Sequence, residues 1–432
     1  DCTYWDMACY GGQAATPHLD ALCAEGMRLD RCFQAAPMCS PTRHCLYTGL
    51  YPVRSGAYPN HTQVYQGVRS IAHYLRDAGY RVALNGKTHI GPGKSFPFEY
   101  QFTKNPKHSP DVEALDQMLA ECRRDDQPFA AFYCSNEPHT PWDKGDPSRY
   151  PPYELELPAF FVDTPETREN FSRYLAEITY YDSEVGRVLE LLERHGHADN
   201  TIVIVLSEQG NSFPFAKWTC YDAGLASGMI VRWPGRVAAG STTDALVEYV
   251  DVVPTLLDAV GADAPADLDG VSFAPVLLGE ADRHKDFVFG LQTTRGIING
   301  SEHYGIRSVR SDRFRYIRNL TPNATFQNIL MGQALWRSWV AESEAAGGHA
   351  GEMVDRYQHR PAEELYDCVA DPLNQTNLAA DPAYAATLAE LSAELDAWMA
   401  SQGDEGQATE LRAHERQNRA IKSRSKKRAG DG

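Results

Sequence analysis

Long apolar runs are missing from this sequence of 432 residues. No stretch approaches the roughly 18 consecutive apolar residues that cross a bilayer, so the sequence predicts no membrane-spanning helix. Cysteine motifs are missing as well, since the ten cysteines form no Cys-x-x-Cys pair and follow no regular spacing. They give no sign of a disulfide framework, and each is by default a small buried hydrophobe. No internal repeat is evident.

Positive charge is scarce before the C-terminus. The chain carries 41 Lys and Arg against 58 Asp and Glu, a net charge of −17. Residues 412–432 hold an excess of positive charge, so the rest of the chain is more acidic than this total. A protein whose residues before 412 are this acidic repels nucleic acids and other polyanions, so we expect no nucleic-acid partner. The basic tail lacks apolar periodicity and is predicted to be disordered, with contact to an anionic surface as the alternative.

An initiator Met and a signal peptide are also missing, because the sequence opens at Asp1. We therefore interpret the sequence as trimmed at its N-terminus, and its residues do not say whether the protein is exported. The length allows two or three average domains, or one large domain with a smaller one.

The sequence does contain an alternation of helices and apolar strands. The run TIVIVLS at 201–207 is typical of a strand buried on both faces. The alternation predicts an α/β fold with a large, mostly parallel (mixed) sheet sandwiched by helices. Ligands bind beyond the carboxyl ends of strands in such sheets, so we expect a site in the loops after residues 86, 135 and 207. The other predicted strands are 81–86, 129–135 and 228–235, and the predicted helices begin at Thr16-Pro17, Ser70, Thr164-Pro165 and Tyr249.

The pattern changes beyond about residue 286. Residues 304–319 alternate between apolar and polar types, as in an antiparallel hairpin, and residues 387–399 fit an amphipathic helix. We therefore predict a large first domain over 1–286, which would carry the site, a smaller α+β domain with an antiparallel sheet over 287–405, and a basic tail over 406–432.

Reactive side chains gather in the loops that follow the predicted strands. Taken singly, each has an ordinary explanation: a surface charge for a lysine, a hydrogen-bonded structural role for a histidine, a buried hydrophobe for a cysteine. Taken together, they supply oxygen ligands for a hard cation and positive charge for an anion with several oxygens, such as sulfate or phosphate. The candidates are Asp1, Cys39, Arg43, Lys87, His89, His139, Glu208, Gln209 and Lys217.

Two segments resemble the signatures of one enzyme family. Cys39-Ser40-Pro41-Thr42-Arg43, followed by Thr48-Gly49, is similar to the C-x-P-S/T-R signature of type I sulfatases, in the alkaline phosphatase superfamily. GKTHIG at 86–91 is similar to their second signature, G-K-x-H-x-G. The resemblance covers most of the chain and fails only in the basic tail. The run GKTHIGPGKSFPFEY is especially similar to the sulfamidase (heparan N-sulfatase) branch and its bacterial relatives.

The resemblance implies that Cys39 is converted to Cα-formylglycine by a maturation enzyme. The hydrated aldehyde has two hydroxyls: one attacks sulfur, and the second expels sulfate, which splits one difficult step into two. A divalent cation, Ca²⁺ rather than Mg²⁺, would be held by Asp1, residue 39, Glu208 and Gln209. The resemblance further implies these roles: Arg43 orients the hydrate, Lys87 and Lys217 bind sulfate oxygens, His89 takes a proton during elimination, and His139 protonates the leaving group, with Lys217 as the alternative donor.

Two departures from the family pattern affect the expected metal site. The family usually has two adjacent aspartates after its first strand, and Asp1 aligns with the second. We therefore expect the first aspartate and its strand to be missing from this sequence. Glu208-Gln209 stands where the family has Asp with Asn or His. Glu keeps the charge and Gln keeps an amide oxygen, a change that a flexible Ca²⁺ shell tolerates better than octahedral Mg²⁺.

Substrate contacts are predicted from two regions. The segment 51–62 follows the signature helix and should border the pocket, and the C-terminal domain contributes two arginines whose alternative is a solvated strand face. The candidates are Arg54, Tyr58, Asn60, His61, Arg307 and Arg310.

The resulting hypothesis is a sulfatase that acts on a sulfate ester or sulfamate of a sulfated saccharide. The alternatives are a phosphonate monoester or phosphodiester hydrolase of the same superfamily and a non-catalytic glycan-binding relative. A cysteine-dependent phosphatase does not fit, because its arginine lies six residues after the cysteine and Arg43 lies four after Cys39. By resemblance, a periplasmic, secreted or lysosomal location is favoured, and the oligomeric state is not predicted.

Overall fold

Two half-sheets form the central layer of the protein in a computed structural model that describes residues 1–104 and 107–417. One half-sheet is parallel, with strand order β3-β2-β6. The other is mixed, with order β10-β1-β8-β7, and β9 also pairs with β1. Strands β9 and β10 run parallel to β1, whereas β8 runs antiparallel to both β1 and β7.

The strands are β1 (Met27–Phe33), β2 (Arg81–Gly86), β3 (Glu99–Gln101), β4 (Thr103–Lys104), β5 (Lys107–Ser109), β6 (Phe129–Cys134), β7 (Val203–Leu206), β8 (Ala226–Arg232), β9 (Ser241–Thr243), β10 (Val247–Glu248), β11 (Val288–Thr293), β12 (Gly305–Arg310), β13 (Phe314–Asn319) and β14 (Glu363–Asp367). The helices are α1 (Pro17–Glu25), α2 (Cys39–Thr48), α3 (Pro52–Ser55), α4 (Ile71–Asp77), α5 (Val112–Asp125), α6 (Pro165–Arg194), α7 (Asp222–Leu225), α8 (Val252–Ala259), α9 (Ala274–Leu277), α10 (Ala334–Ala346), α11 (Gly348–Gln358), α12 (Ala385–Ser401) and α13 (Gln407–Arg412). No helix in these described ranges is both long and apolar enough to cross a membrane.

Local sequence signals account for the helices that matter most to the site. The Thr164 hydroxyl accepts a hydrogen bond from the Thr167 amide and Pro165 occupies the first turn, so α6 begins there. Helix α2 runs from Cys39 to Thr48 and is capped by Gly49, whose left-handed backbone (φ 68°) suits glycine. The second signature segment starts at the carboxyl end of β2.

A cleft of about 710 Å³ separates the two half-sheets. It is lined by apolar side chains of β6 and β7, including Phe132, Val203 and Val205. Within residues 1–104 and 107–417, β6 pairs only with β2, and β7 pairs only with β8. Asp1 and Glu208 also line the cleft, so it opens into the region where the predicted site residues lie.

The C-terminal part contains the antiparallel sheet β11-β12-β13-β14. Helix α12 packs on it through Leu391, Leu395 and Trp398, which are buried with Leu291 of β11 and Val309 of β12. The predicted fold class is therefore confirmed: a mixed α/β body with helices and a C-terminal antiparallel sheet. The domain boundary near residue 286 stays a prediction.

The predicted start of the disordered tail, at residue 406, is too early in the chain. Helix α13 and the 3-10 turn Ala413–Arg416 are ordered, because Glu410 is buried beside Arg307 at 2.8 Å and Ala413 is buried in a core cluster. Residues 418–432, the rest of that tail, lie outside the described residues.

Candidate active site

Cys39 is the first residue of α2, and it follows the loop after β1. It is buried, and the free amides and dipole of a helix N-terminus favour an anion at this position. The first turn is fixed to the loop by Thr42, whose hydroxyl donates to Gln34 Oε1 at 2.6 Å. One turn later, His44 contacts the Ser40 carbonyl at 2.6 Å and accepts from the Gly91 amide at 3.1 Å, which ties α2 to the second signature segment.

Three other segments meet at the Cys39 sulfur. Gln209 Nε2 lies 3.1 Å from Sγ, and both Lys87 Nζ and Asp1 Oδ1 lie 3.6 Å away. Burial alone raises the pKa of the Cys39 thiol, but the charges of Lys217 and Lys87 outweigh it and hold the pKa well below its ordinary value. The surroundings of Cys39 therefore favour an anion.

Asp1 is the second centre of the cluster. Its carboxylate accepts from Lys217 Nζ at 2.5 Å and from Gln209 Nε2 at 2.5 Å. Ser212 Oγ donates to the same carboxylate at 3.2 Å. Sequence reasoning missed Ser212, since a serine within an irregular loop carries no signal of its own.

Arg43, Glu208 and Lys87 form a largely buried ion network beside Cys39. Glu208 Oε1 lies 2.9 Å from Arg43 Nε, and Glu208 Oε2 lies 3.4 Å from Lys87 Nζ. Arg43 Nη1 also donates to the Lys87 carbonyl at 3.0 Å. Burial and the negative charge of a Cys39 thiolate act to raise the pKa of Glu208, but Lys87 and Arg43 hold it below its ordinary value. The network fixes the side chains of Arg43 and Lys87 beside residue 39.

His139 is a further neighbour of Asp1. Its Nδ1 lies 2.7 Å from the Thr140 carbonyl, which can only accept, so Nδ1 carries a proton and Nε2 is the acceptor in the neutral ring. His139 Nε2 lies 3.5 Å from Lys217 Nζ and 3.6 Å from Asp1 Oδ2. Burial lowers the pKa of both His139 and Lys217. The pair is therefore arranged for exchange of a proton.

His89 and His61 face each other at the edge of the site. His89 Nε2 lies 2.8 Å from His61 Nδ1, and both residues have a positive φ, 52° and 55°. Positive φ is strained for a residue with a side chain and clusters at functional sites. Among the residues predicted to contact substrate, His61 therefore lies beside His89, which is predicted to be catalytic. Its neighbour Asn60 donates its backbone amide to the Arg295 carbonyl at 3.2 Å.

The donor set fits a hard divalent cation. Ligand atoms of Asp1, Cys39 and His139 all lie within 4.8 Å of one another. Gln209 Oε1 is a buried acceptor that has no donor among the residues described. A buried carboxylate and an unpartnered amide oxygen are the ligand types that Ca²⁺ and Mg²⁺ prefer. Of the predicted ligands, Asp1, Cys39 and Gln209 meet directly, whereas the Glu208 carboxylate contacts Arg43 and Lys87.

Two predicted substrate residues, Arg307 and Arg310, are buried in the C-terminal sheet. Arg307 is 0% exposed and forms ion pairs with Asp404 and Glu410. Arg310 pairs with Asp222 at 3.1 Å. The prediction that these arginines contact substrate is wrong, because their charges are already satisfied inside the protein.

The remaining predicted substrate residues are held in structural contacts. Tyr58 is buried and its hydroxyl donates to the Thr409 carbonyl at 3.1 Å. Arg54 pairs with Asp269 and donates to the Asp267 carbonyl at 2.9 Å. Neither contact involves a residue of the Cys39 cluster.

Replacing Arg307 with methionine is expected to lower the free energy of unfolding by about 3–5 kcal/mol, because Asp404 and Glu410 lose their buried partner. Urea unfolding measures this loss, and kcat/KM of the folded enzyme should stay within about twofold of the wild type. The control, Arg412→Met, removes an exposed pair with Glu405 and should cost less than about 1 kcal/mol. If the Arg307→Met protein is stable but has a raised KM, the original prediction that Arg307 contacts substrate would be supported instead.

Comparisons with known proteins agree with this geometry. The family model described as sulfatase matches residues 1–262, and the one described as N-sulphoglucosamine sulphohydrolase, C-terminal, matches residues 210–327. An ulvan-active sulfatase of Formosa agariphila is 30% identical over 418 residues, which cover 94% of this chain and 79% of the relative. Human N-sulphoglucosamine sulphohydrolase is 28% identical, covering 89% of this chain and 85% of the relative.

Solved structures share the fold. The structure of BT4656 in complex with its substrate D-glucosamine-2-N,6-O-disulfate has a TM-score of 0.74 at 19% identity, covering 94% of this chain and 97% of that chain. The phosphonate monoester hydrolase SpPMH from Silicibacter pomeroyi has a TM-score of 0.69 at 21% identity, covering 92% and 94%. At these identities the likeness shows the fold alone. The match of a family model to more than half of the sequence, with a relative 30% identical over most of both proteins, shows that this chain belongs to the sulfatase family of sulfuric ester hydrolases.

Proposed function

We propose that the protein removes sulfate from a sulfated saccharide, by cleaving a sulfate ester or a sulfamate, at the cluster around residue 39. One observation carries the proposal: a buried residue at a helix N-terminus lies 3.6 Å from Lys87 Nζ, beside a carboxylate that is itself bound to Lys217. Two lysines and free helix amides suit a tetrahedral anion with several oxygens. The names of the relatives support a sulfated sugar as the source of that anion.

The residues of the chain divide the work between binding and proton transfer. Lys87 and Lys217 bind sulfate oxygens. Lys217 is buried and the Lys87 side chain is only 13% exposed, so both charges act in a medium of reduced dielectric constant. Arg43, fixed by Glu208, steadies the oxygens carried on residue 39. His139 and Lys217 supply the proton to the leaving oxygen or nitrogen, and His89 accepts a proton when sulfate is released.

We propose that residue 39 acts as Cα-formylglycine, produced by a formylglycine-generating maturation enzyme. The contacts of the Cys39 sulfur fit this residue, because Lys87 and Gln209 both donate toward the atom that an oxygen would replace. The hydrated aldehyde would supply an oxygen nucleophile and a second hydroxyl for the release of sulfate. Family resemblance also supports a periplasmic, secreted or lysosomal location.

We propose Ca²⁺ as the cation, held by Asp1, residue 39, Glu208 and Gln209. A Gln and a Glu reach further than Asn and Asp, which a flexible Ca²⁺ shell accepts more readily than Mg²⁺. The bound cation would supply stabilisation of negative charge on oxygen. The role of the protein is to hold the ligand oxygens in place. Ser212 and Lys217 do this for Asp1 by donating hydrogen bonds to its carboxylate.

Removal of divalent cations with a chelator is expected to abolish turnover, and Ca²⁺ should restore it at lower concentration than Mg²⁺. Replacing Gln209 with alanine should raise the Ca²⁺ concentration for half-maximal activity by about tenfold or more, because one oxygen ligand is lost. Gln117→Ala, an exposed change on α5, is the control. Full activity after chelation, with no metal detected by elemental analysis, would contradict the cation requirement.

The substrate class is tested with matured enzyme on a panel of sulfated compounds. The panel contains N-sulfoglucosamine, sulfated ulvan oligosaccharides, an aryl sulfate and an aryl phosphonate monoester, and released sulfate or phosphonate is measured. We expect a sulfated saccharide to have the highest kcat/KM. A higher value for the phosphonate ester would favour the hydrolase alternative, and tight saccharide binding without turnover would favour the glycan-binding one.

A further inference from the structure

The C-terminal segment Gln407–Gln417, called here the C-terminal strap, crosses back to the loop 56–65 that carries His61. Arg416 Nε donates to the Gly56 carbonyl at 2.9 Å, and Arg416 Nη2 donates to the Gln63 carbonyl at 2.8 Å. The guanidinium carbon also lies 4.1 Å from the centre of the Tyr65 ring, within cation–π range. One arginine thus joins both ends of this loop, called here the His61 loop.

Backbone contacts reinforce the join. The Thr62 hydroxyl donates to the Arg416 carbonyl at 2.8 Å, and Thr62 forms an isolated antiparallel bridge with Gln417. Further back along the strap, the Tyr58 hydroxyl donates to the Thr409 carbonyl at 3.1 Å. The strap therefore contacts the His61 loop on both sides of His61 itself.

A third segment locks the same contact. Gln417 Oε1 accepts from Arg295 Nε at 2.8 Å, and the Arg295 carbonyl accepts from the Asn60 amide at 3.2 Å. At Gly296 a Cβ atom would lie 2.5 Å from the Asn60 carbonyl and 2.9 Å from Gln417 Nε2, so only a glycine allows this approach. The loop after β11 thus packs against the strap and the His61 loop together.

The other side of the His61 loop faces the catalytic cluster. His61 Nδ1 lies 2.8 Å from His89 Nε2, and the Val64 amide donates to the Gly91 carbonyl at 2.9 Å. The loop is therefore fixed between the second signature segment and the strap. A change in the strap would reach the site through His61 and leave the Cys39 contacts in place.

We propose that Arg416 is a positioning residue that holds His61 at the mouth of the site and thereby sets recognition of the sugar beside the sulfate. This inference rests on the proposed function and extends it to a region of the chain more than 370 positions from Cys39. The ligand it concerns is the saccharide part of the substrate. The sulfate group itself would be held by Lys87 and Lys217.

The test compares Arg416→Ala with Arg416→Lys in the full-length, matured enzyme. Arg416→Ala should increase amide hydrogen exchange in residues 56–65 by about tenfold or more, because the loop loses its contacts to Gly56, Gln63 and Tyr65. KM for N-sulfoglucosamine should rise about tenfold with kcat within about threefold, whereas KM for a small aryl sulfate should stay within about twofold. Arg416→Lys keeps the charge and should recover part of both effects.

Arg412→Ala is the matched control, because Arg412 lies on the same strap but pairs with the exposed Glu405. It should change neither exchange nor KM. If Arg416→Ala does not fold, Tyr65→Leu removes only the stacked ring and is measured in its place. Unchanged exchange in residues 56–65, or equal KM changes for the sugar and the aryl sulfate, would overturn the inference.

The exchange measurement also separates this inference from the proposed function. A wild-type enzyme that releases sulfate from none of the compounds would reject the function, while exchange in the His61 loop would still report on the strap. If the wild-type enzyme turns over a sulfated saccharide but Arg416→Ala behaves like the wild type, the role of the strap is rejected and the proposed function stands.

Discussion

Replacing Cys39 with alanine is expected to lower kcat/KM by about 10⁴-fold or more, since the variant has no atom that can become the nucleophile. The fold should survive, because Cys39 is a small buried side chain and alanine fits the same space. Binding should survive as well, since Lys87 and Lys217 remain. We therefore expect the variant to bind a sulfated saccharide measurably by calorimetry while releasing no sulfate.

Cys45→Ala is the matched control for Cys39→Ala. Cys45 lies in the same helix and is also buried, but it packs in the cluster of Tyr51 and Val250, away from the catalytic groups. Its kcat/KM should stay within about twofold of the wild type. Mass spectrometry of the peptide containing residue 39 should find formylglycine in active enzyme. Full activity of a preparation in which residue 39 is only the encoded cysteine would contradict the assignment of formylglycine as the nucleophile.

The fold could be predicted from sequence where the chain is apolar over a whole element. Strands β2, β6, β7 and β8 follow from runs such as TIVIVLS, because an unbroken apolar run is typical of a strand with both faces covered. Strand β1 could not be found this way, because Arg28, Asp30 and Arg31 interrupt its apolar residues. Arg28 and Asp30 pair with each other, whereas Arg31 pairs with Asp244 and Asp312, far along the chain, which no local pattern reveals.

The site could be predicted because its residues follow strands, and the ends of neighbouring strands meet. Lys87 follows β2, Glu208 and Gln209 follow β7, and the resulting contacts are among those described above. The arginines of β12 show the limit of this reasoning. An alternating strand predicts a polar face, but only the fold brings Asp404 to Arg307 and so converts that face into a buried ion pair. The same applies to the strap, whose polar composition gave no sign of its contact with the His61 loop.

The second large effect is expected at Lys217. Replacing Lys217 with methionine keeps the volume and removes a buried charge 2.5 Å from Asp1 Oδ2 and 3.5 Å from His139 Nε2. We expect kcat to fall about 10²- to 10³-fold, as when one preorganised donor to a transition-state oxygen is removed. The inhibition constant of inorganic sulfate should also rise, because the lysine binds the product through the same oxygens.

Leaving-group dependence separates the two roles of Lys217. His139 donates its Nδ1 proton to the Thr140 carbonyl, so Nε2 of the neutral ring carries no proton. Nε2 must therefore receive a proton before it can donate one, and Lys217 Nζ lies within reach of Nε2. If Lys217 supplies this proton, the loss in Lys217→Met should be about tenfold larger for an alkyl or saccharide sulfate than for nitrophenyl sulfate, whose leaving group needs no proton. Lys94→Met changes an exposed lysine just after the second signature segment; it is the control and should behave as the wild type. An equal loss for both leaving groups would confine Lys217 to sulfate binding and return the proton to His139 alone.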